Sequence, residues 1–304
     1  MKISTESDEF KWVKKMIKKN FENMPCNHIT KLGEGWKSRA YLINHDLVFR
    51  FPKEEDGAID TEKEIKALPT LKKHISLNIP EFIYWGKQDN GYPFVGYKIL
   101  SGEPMDEQLF HSLSSGTKKK IAHQIAEFMD QISSFCAEQA KDLDIGVNNF
   151  HQDYLELFHE VKEKVYPKID QVMKTYISFR FERYLENKEN FRYSPKLLHA
   201  DLSLDHLLFD KKKQEITGII DFGDMKIGDP DYEYIYLLEE CGEAFTKKVM
   251  EIRKEENIQH KLEKLSFFLT ADNVILLLEA LKRNNSEMLE EAIEIIQSEM
   301  KINE

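Results

Sequence analysis

Asp201, His206 and Asp221 lie within one stretch, residues 197–224, in which acids alternate with short apolar runs. Leu207 to Phe209 and Ile216 to Ile220 read as strands, and Lys211, Lys212, Lys213 and Gln214 read as the hairpin tip between them. This layout predicts Asp201, His206 and Asp221 at the ends of short strands, facing one small volume. Carboxylates buried side by side are costly unless a cation neutralises them. The stretch therefore asks for a metal ion, a cationic ligand, or both. The competing reading is a surface hairpin carrying ordinary solvated acids.

The elements that must position these groups can be read upstream and downstream. Phe10, Val13, Ile17 and Phe21 recur at helical spacing, with Ser4 or Ser7 as the cap of that helix. Apolar residues then alternate on both sides of Gly33-Glu-Gly35, which predicts strand, glycine turn, strand, with Ser38 closing the pattern Gly-x-Gly-x-x-Ser. Such a turn can lay backbone N–H groups over phosphates, or be only a turn. Leu47 to Phe51 is a strand stopped by Pro52. Arg50 sits inside it, and a basic residue in an apolar strand is expensive unless paired. Lys53 lies just beyond. A helix from Thr61 offers Glu62 or Glu64 as the partner of Arg50. Asp89-Asn-Gly91 signals a hairpin, whose returning strand carries Tyr97 and Lys98 and runs to Leu100 and Gly102. From about residue 106 onward, apart from the opening stretch, the pattern is mainly helical, with Thr117 able to cap one helix and Asp229 another.

Composition narrows the partners. The 304 residues carry 54 acidic and 43 basic side chains, a formal charge of −11. That balance disfavours nucleic acid and anionic membranes, because the phosphate contacts would be repulsive. It suits a cationic partner, or simply solubility. Glu239, Glu240 and Glu243 cluster where a helix is expected to end, which the helix dipole disfavours, so they serve either a function or a solvated end. The three cysteines, Cys26, Cys136 and Cys241, form no Cys-x-x-Cys pair and read as reduced thiols. No run has the length of a signal core or of the ~18 apolar residues that span a bilayer. The expectation is a cytoplasmic monomer.

Taken in order, the phrases Gly33-Glu-Gly-Trp-Lys-Ser38, Val48-Phe-Arg-Phe-Pro-Lys53, His199-Ala-Asp-Leu-Ser-Leu-Asp-His206 and Ile219-Ile-Asp-Phe-Gly-Asp224 resemble the aminoglycoside phosphotransferase family, and most of all its 2'' branch. The resemblance implies an α+β, bilobal protein-kinase-like fold. Residues 1–100 would form an antiparallel-sheet, nucleotide-binding lobe, and residues 101–304 a mainly helical lobe. It implies transfer of the γ-phosphate of GTP, ATP or both to a hydroxyl of a gentamicin- or kanamycin-type drug, with Mg²⁺. Asp201 matches the catalytic base, and Asp221 a metal ligand. His206 stands where most of the family has asparagine. Arg50 stands where a phosphate-binding lysine is usual, with Lys53 in reserve and Glu64 as the helix partner. Gly33, Gly35 and Ser38 would lie over the phosphates. The backbone of Lys98 to Leu100 would face a purine edge, with Tyr97 behind it. Asp201, Asp224, Glu239, Glu240 and Glu243 would meet the drug's ammonium groups. The alternatives are another small-molecule kinase of this fold, for choline, homoserine or a macrolide, or an inert kinase-like binding module.

Overall fold

A computed structural model of the chain describes residues 8–135, 140 and 143–302. Ser4, Ser7 and Cys136 lie outside the described residues. The chain divides into two compact units: Met1–Met105 with Asp142–Ile145 and Asp205–Asp224, and Asp106–Lys141 with Gly146–Leu204 and Met225–Glu304.

In the first unit, helix α1 (Asp8–Asn20) begins with Asp8 and Glu9 and ends with Lys18 and Lys19, charges that complement its dipole. Its buried face is Val13, Met16 and Ile17. These side chains pack into one cluster with Tyr41, Ile43, Phe49, Phe51 and Phe94 from an antiparallel five-stranded sheet. The strands are β1 (Ile29–Glu34), β2 (Ser38–Ile43), β3 (Leu47–Pro52), β4 (Phe82–Lys87) and β5 (Pro93–Lys98), in the order β1-β2-β3-β5-β4. Phe51 and Phe94 stack at 4.7 Å, and such ring pairs add ~0.5–1.5 kcal/mol beyond their area. Helix α2 (Glu55–Leu71) starts earlier than the expected Thr61 and keeps Pro69 inside its last turn. Gly57 makes the early start possible: a Cβ there would lie 2.6 Å from the Lys37 carbonyl oxygen.

Residues 205–224 were expected in the C-terminal lobe but belong to this first unit. The cause is hydrogen bonding. Strands β8 (Leu207–Asp210) and β9 (Glu215–Ile219) form the predicted hairpin, and β6 (Glu103–Pro104) adds to its edge. Asn78 then ties β9 down, with its amide group donating to the Thr217 carbonyl at 2.8 Å and its own carbonyl accepting from Ile219 N–H at 2.8 Å.

The second unit is mainly helical: α3 (Glu107–Ser112), α4 (Ser115–Ser133), α5 (Phe150–Lys164), α6 (Gln171–Glu186), α7 (Ile235–Cys241), α8 (Glu243–Ile252), α9 (Ile258–Lys282) and α10 (Ser286–Ile302). One short antiparallel pair, β7 (Lys196–Leu198) with β10 (Lys226–Gly228), frames the residues before Asp201. Ile121, Ile125, Phe128, Met129 and Ile132 form the buried stripe of α4, as their spacing predicts. Its cap is Ser114 rather than Thr117: the Ser114 hydroxyl accepts the Thr117 N–H at 3.1 Å. The helix expected to end in three glutamates is two helices. Gly242, at φ +82°, separates them, so Glu243 opens α8, where its charge is favourable. The α+β class stands, with an antiparallel-sheet N-terminal part and a helical C-terminal part.

Candidate active site

In the first unit, Arg50 on β3 pairs with the fully buried Glu64 of α2, the partner that the sequence offered alongside Glu62. Glu64 also accepts the Phe222 N–H at 3.1 Å. Arg50 reaches Asp221 as well, Nη1 to Oδ1 at 3.1 Å. One acid therefore fixes both the strand base and the backbone that follows Asp221. Asp221 itself has φ +60°, a left-handed conformation that costs an aspartate energy and persists only where its surroundings enforce it. His206 leads into β8, and its Nε2 lies 3.8 Å from Asp221 Oδ2.

Asp221 and His206 thus converge as the sequence predicts. Among the described residues there is no group of three or more His, Cys, Asp or Glu side chains suited to a metal. Mg²⁺ carried by a nucleotide asks for only one or two protein ligands, because phosphates and water fill the rest. A half-exposed carboxylate with an imidazole beside it fits that share, although oxygen is the better donor.

The glycine turn is where it was expected. Gly33 and Gly35 have nothing within 4 Å of a built Cβ, and Gly35 N–H closes the turn onto the Ser38 carbonyl at 3.0 Å. Lys53 pairs with Glu34 at 3.2 Å, while Arg50 takes the buried position. Ile99 N–H is committed to the Asp46 carbonyl at 2.8 Å, so within Lys98–Leu100 that donor is engaged. Tyr97 is buried against Phe82.

Sequence reasoning missed Lys37. Its ammonium group bridges Asp60 of α2 and Asp224, each at 2.7 Å. Asp224, expected among the substrate carboxylates, therefore already has a cation. A lysine within a glycine turn gives no sequence sign of reaching residue 224.

In the second unit, the Asp201 loop is braced from both sides. Glu233, buried in the 3₁₀ turn Pro230–Tyr234, accepts the N–H groups of His199 and Ala200 at 3.3 and 3.2 Å. Ala200 has φ +65°, so the bend before Asp201 is also strained. Asp201 N–H donates to His199 Nδ1 at 3.3 Å. Glu240, expected to grip substrate, accepts Leu204 N–H at 2.6 Å and so holds the far end of the loop. Glu243 pairs with Lys247 at 2.6 Å. Glu239 is exposed, as is Glu243, and its carboxyl is pushed up by desolvation and then by the charge of Glu107.

Asp272 on α9 is a second residue that the sequence did not reveal, since it sits in a long apolar run. Burial pushes its carboxyl up to about 7, with the charges of Glu239 and Asp201 adding to the shift and Lys226 and the Tyr232 hydroxyl opposing it. Asp201, Glu239 and Asp272 thus form one acidic neighbourhood.

Burial also pushes Glu233 up to about 7, against the pull of the Ala200 N–H, Arg253 and the His199 N–H. A carboxyl raised in the folded state binds its proton more tightly than in the unfolded chain. Its stabilising contribution is complete below the ordinary value of 4.5 and is lost as pH rises through about 7. Asp229 and Asp272 act in the same direction. The acids held low, Glu9, Glu34, Asp89 and Asp210, finish ionising below this window. Urea midpoints at pH 5 and pH 8 are therefore expected to show the wild type losing stability, by at most about 1.4 kcal/mol per pH unit for each titrating group. Glu233→Gln should lose measurably less across that interval; equal losses would mean that Glu233 is ionised throughout.

Residues 28–263 match the model of a family described as "Phosphotransferase enzyme family". The chain is 39% identical, with a TM-score of 0.93, to a solved structure of the GDP and kanamycin complex of APH(2")-IIIa, covering 96% of this chain and 99% of that one. A GDP complex of wild-type aminoglycoside 2'-phosphotransferase-IIIa is 38% identical, with a TM-score of 0.94, over 98% of this chain and 100% of that one. An uncharacterised Bacillus subtilis (strain 168) protein, YcbJ, is 22% identical over 212 residues, which are 67% of this chain and 66% of that protein's length.

Proposed function

This chain belongs to the phosphotransferase enzyme family, and on that premise we propose that it is an aminoglycoside 2''-O-phosphotransferase that confers resistance to kanamycin- and gentamicin-type drugs. The observation that carries this reading is its likeness, over nearly the whole chain, to a protein solved with GDP and kanamycin together.

In the proposed reaction, the drug's 2''-hydroxyl oxygen attacks the γ-phosphorus of GTP or ATP. The bond to the β–γ bridging oxygen breaks, the nucleoside diphosphate leaves, and the hydroxyl proton passes to Asp201. Such transfers depend on positioning and charge neutralisation more than on covalent help from the protein. Arg50, held by Glu64, supplies a forked donor to phosphate oxygens. Gly33, Gly35 and Ser38 lie over the phosphates, with Lys53 beside them. Asp221 and His206 would hold Mg²⁺, whose contribution when bound is to neutralise phosphate charge. On the acceptor side, Asp201, Glu239 and Asp272 meet ammonium groups. Their pairing offsets the cost of crowding acids together. Glu240 and Glu233 act indirectly, by holding the loop of Asp201. Asp224 is kept as a substrate contact only through the oxygen that Lys37 leaves to it, and Glu243 as an outer one.

The donor nucleotide and the acceptor class are tested together. Purified protein is offered GTP or ATP with Mg²⁺ and a panel of kanamycin, gentamicin, a macrolide, choline and homoserine. Turnover confined to the aminoglycosides supports the reading, whereas turnover with a neutral or singly charged acceptor alone would replace it. The enzyme is proposed to work as a monomer in the cytoplasm, where nucleoside triphosphates are available. The excess of acids over bases disfavours nucleic acid as a partner, and no helix among the described residues is long and apolar enough to cross a membrane.

Tyr97 is proposed to lie at the back of the purine pocket, where its bulk crowds an adenine amino group. Tyr97→Ala is expected to shift the kcat/KM ratio of GTP to ATP about tenfold toward ATP, roughly the discrimination available to one steric contact. An unchanged ratio would remove Tyr97 from nucleotide selection.

A further inference from the structure

The glycine turn between β1 and β2 has little packing of its own. Leu32 and Trp36 are 49% and 52% exposed, and a Cβ built on Gly33 or Gly35 meets nothing within 4 Å. A segment with so few buried contacts opens locally unless something outside it holds it. Ion pairs take that part. Glu34, exposed within the turn, pairs with Lys31 and Arg39 of the same hairpin and with Lys53 just past β3. Exposed pairs of this kind contribute little.

Lys37 is placed differently. Its ammonium group meets Asp60 Oδ2 and Asp224 Oδ1, each at 2.7 Å, and Asp60 Oδ1 takes Lys63 as well at 3.1 Å. Asp60 is better buried than Glu34, and all of these residues lie in the first unit. One ammonium group thus ties the turn to α2 and to the segment Asp221–Asp224. The Lys37 backbone is fixed too, since its carbonyl accepts the Lys53 N–H at 2.8 Å. Two glycines let the three segments come this close. A Cβ on Gly57 would lie 2.6 Å from the Lys37 carbonyl oxygen, and one on Gly223 would lie 3.3 Å from Asp60 Cβ and 3.4 Å from Asp221 Oδ1. Side chains at these positions would wedge the segments apart.

A lysine beside phosphate-binding residues could instead be a phosphate ligand itself. The charges around it decide against that. Burial opposes the charge of Lys37, yet Asp224 and Asp60 outweigh it and hold the ammonium group protonated well above the ordinary lysine range. Turning to a phosphate would break two charge-assisted bonds and leave two carboxylates repelling that phosphate.

We propose that Lys37 is a positioning residue: an ion-pair latch that closes the glycine turn onto α2 and the Asp221–Asp224 segment before nucleotide arrives. The latch rests on the nucleotide site proposed above. A turn already closed loses less freedom when phosphates bind under its N–H groups, so Lys37 raises nucleotide affinity without touching the nucleotide.

Calorimetric titration with GDP and, in a separate arm, ADP, each with Mg²⁺, tests the latch. The proteins are the full-length wild type, Lys37→Met, Lys37→Arg, Asp60→Ala and the double variant Lys37→Met with Asp60→Ala, each held well below its melting temperature. Lys37→Met is expected to weaken the better-bound nucleotide about tenfold, and Lys37→Arg to stay within about twofold of the wild type, since it keeps the charge. Asp60→Ala should weaken binding when Lys37 is present and not when it is already methionine, because the two residues act as one unit. The sign of the Asp60→Ala effect is decisive. Removing a negative charge near the phosphates should by Coulomb attraction alone tighten binding, so weakening marks the latch. Unchanged affinity in Lys37→Met overturns the latch and leaves the nucleotide site standing. Tighter binding by Asp60→Ala also overturns it, and makes Lys37 a direct phosphate ligand. A wild type that binds neither nucleotide overturns the latch together with the proposed function.

Discussion

Asp201→Asn lowers kcat about 10²–10⁴-fold while the protein still folds, because a positioned general base contributes an acceleration of that order. Asparagine keeps the shape of the side chain and the backbone bonds around it. Glu233 still holds His199 and Ala200, and Glu240 still holds Leu204. What is lost is the capacity to take a proton. KM for nucleotide and drug should therefore change far less than kcat. Steady-state kinetics at saturating drug, with melting temperatures alongside, check this. Near-normal turnover would mean that another group, or the bulk solvent, takes the proton.

The second large effect is expected at Glu64. Glu64→Gln leaves Arg50 poorly exposed with one counter-charge fewer, and breaking a buried pair by removing one partner typically costs ~3–5 kcal/mol. The amide can still accept from Phe222, so the loss falls on the charge rather than on that backbone bond. The double replacement Arg50→Met with Glu64→Leu removes both charges and should recover much of the stability, since apolar pairs often substitute for buried ion pairs at little cost. It should recover no activity, because the forked donor for the phosphates is gone. Denaturant midpoints and turnover measured on the same three proteins separate the two roles. A double variant that is both stable and active would show that the pair is structural.

The comparison of these two positions shows what the sequence carried. Arg50 was legible because an apolar strand admits a basic residue only at a cost, though the choice of Glu64 over Glu62 as its partner came from the family resemblance. Asp221 with His206 was legible because polar groups clustered at the ends of apolar strands carry a similar cost. That cost is visible in the pattern of neighbours. The antiparallel sheet and the β8–β9 hairpin were legible for a similar reason, through alternation and turn residues. Lys37 was not legible, since a lysine in a turn costs nothing until α2 begins early enough to bring Asp60 within reach. That early start depends on Gly57, whose role is a close approach and not a propensity. The glutamate cluster misled for a different reason. Glu239, Glu240 and Glu243 look alike in sequence, yet Gly242 ends one helix and begins another between them. Glu239 and Glu243 then both face solvent, the latter paired with a lysine, while Glu240 braces the Asp201 loop. Asp272 was hidden by the apolar run around it. Its raised pKa comes from tertiary neighbours that sequence spacing does not supply.

The measurement that bears most directly on the proposed function is the position of the new phosphate. Enzyme, Mg²⁺, GTP and kanamycin are incubated, and the product is examined by phosphorus–proton correlation NMR. The expected result is a single phosphomonoester coupled to the proton on C2'' of the drug, formed in equal amount with GDP. A phosphate on any other hydroxyl, or GDP formed with unmodified kanamycin, would contradict it.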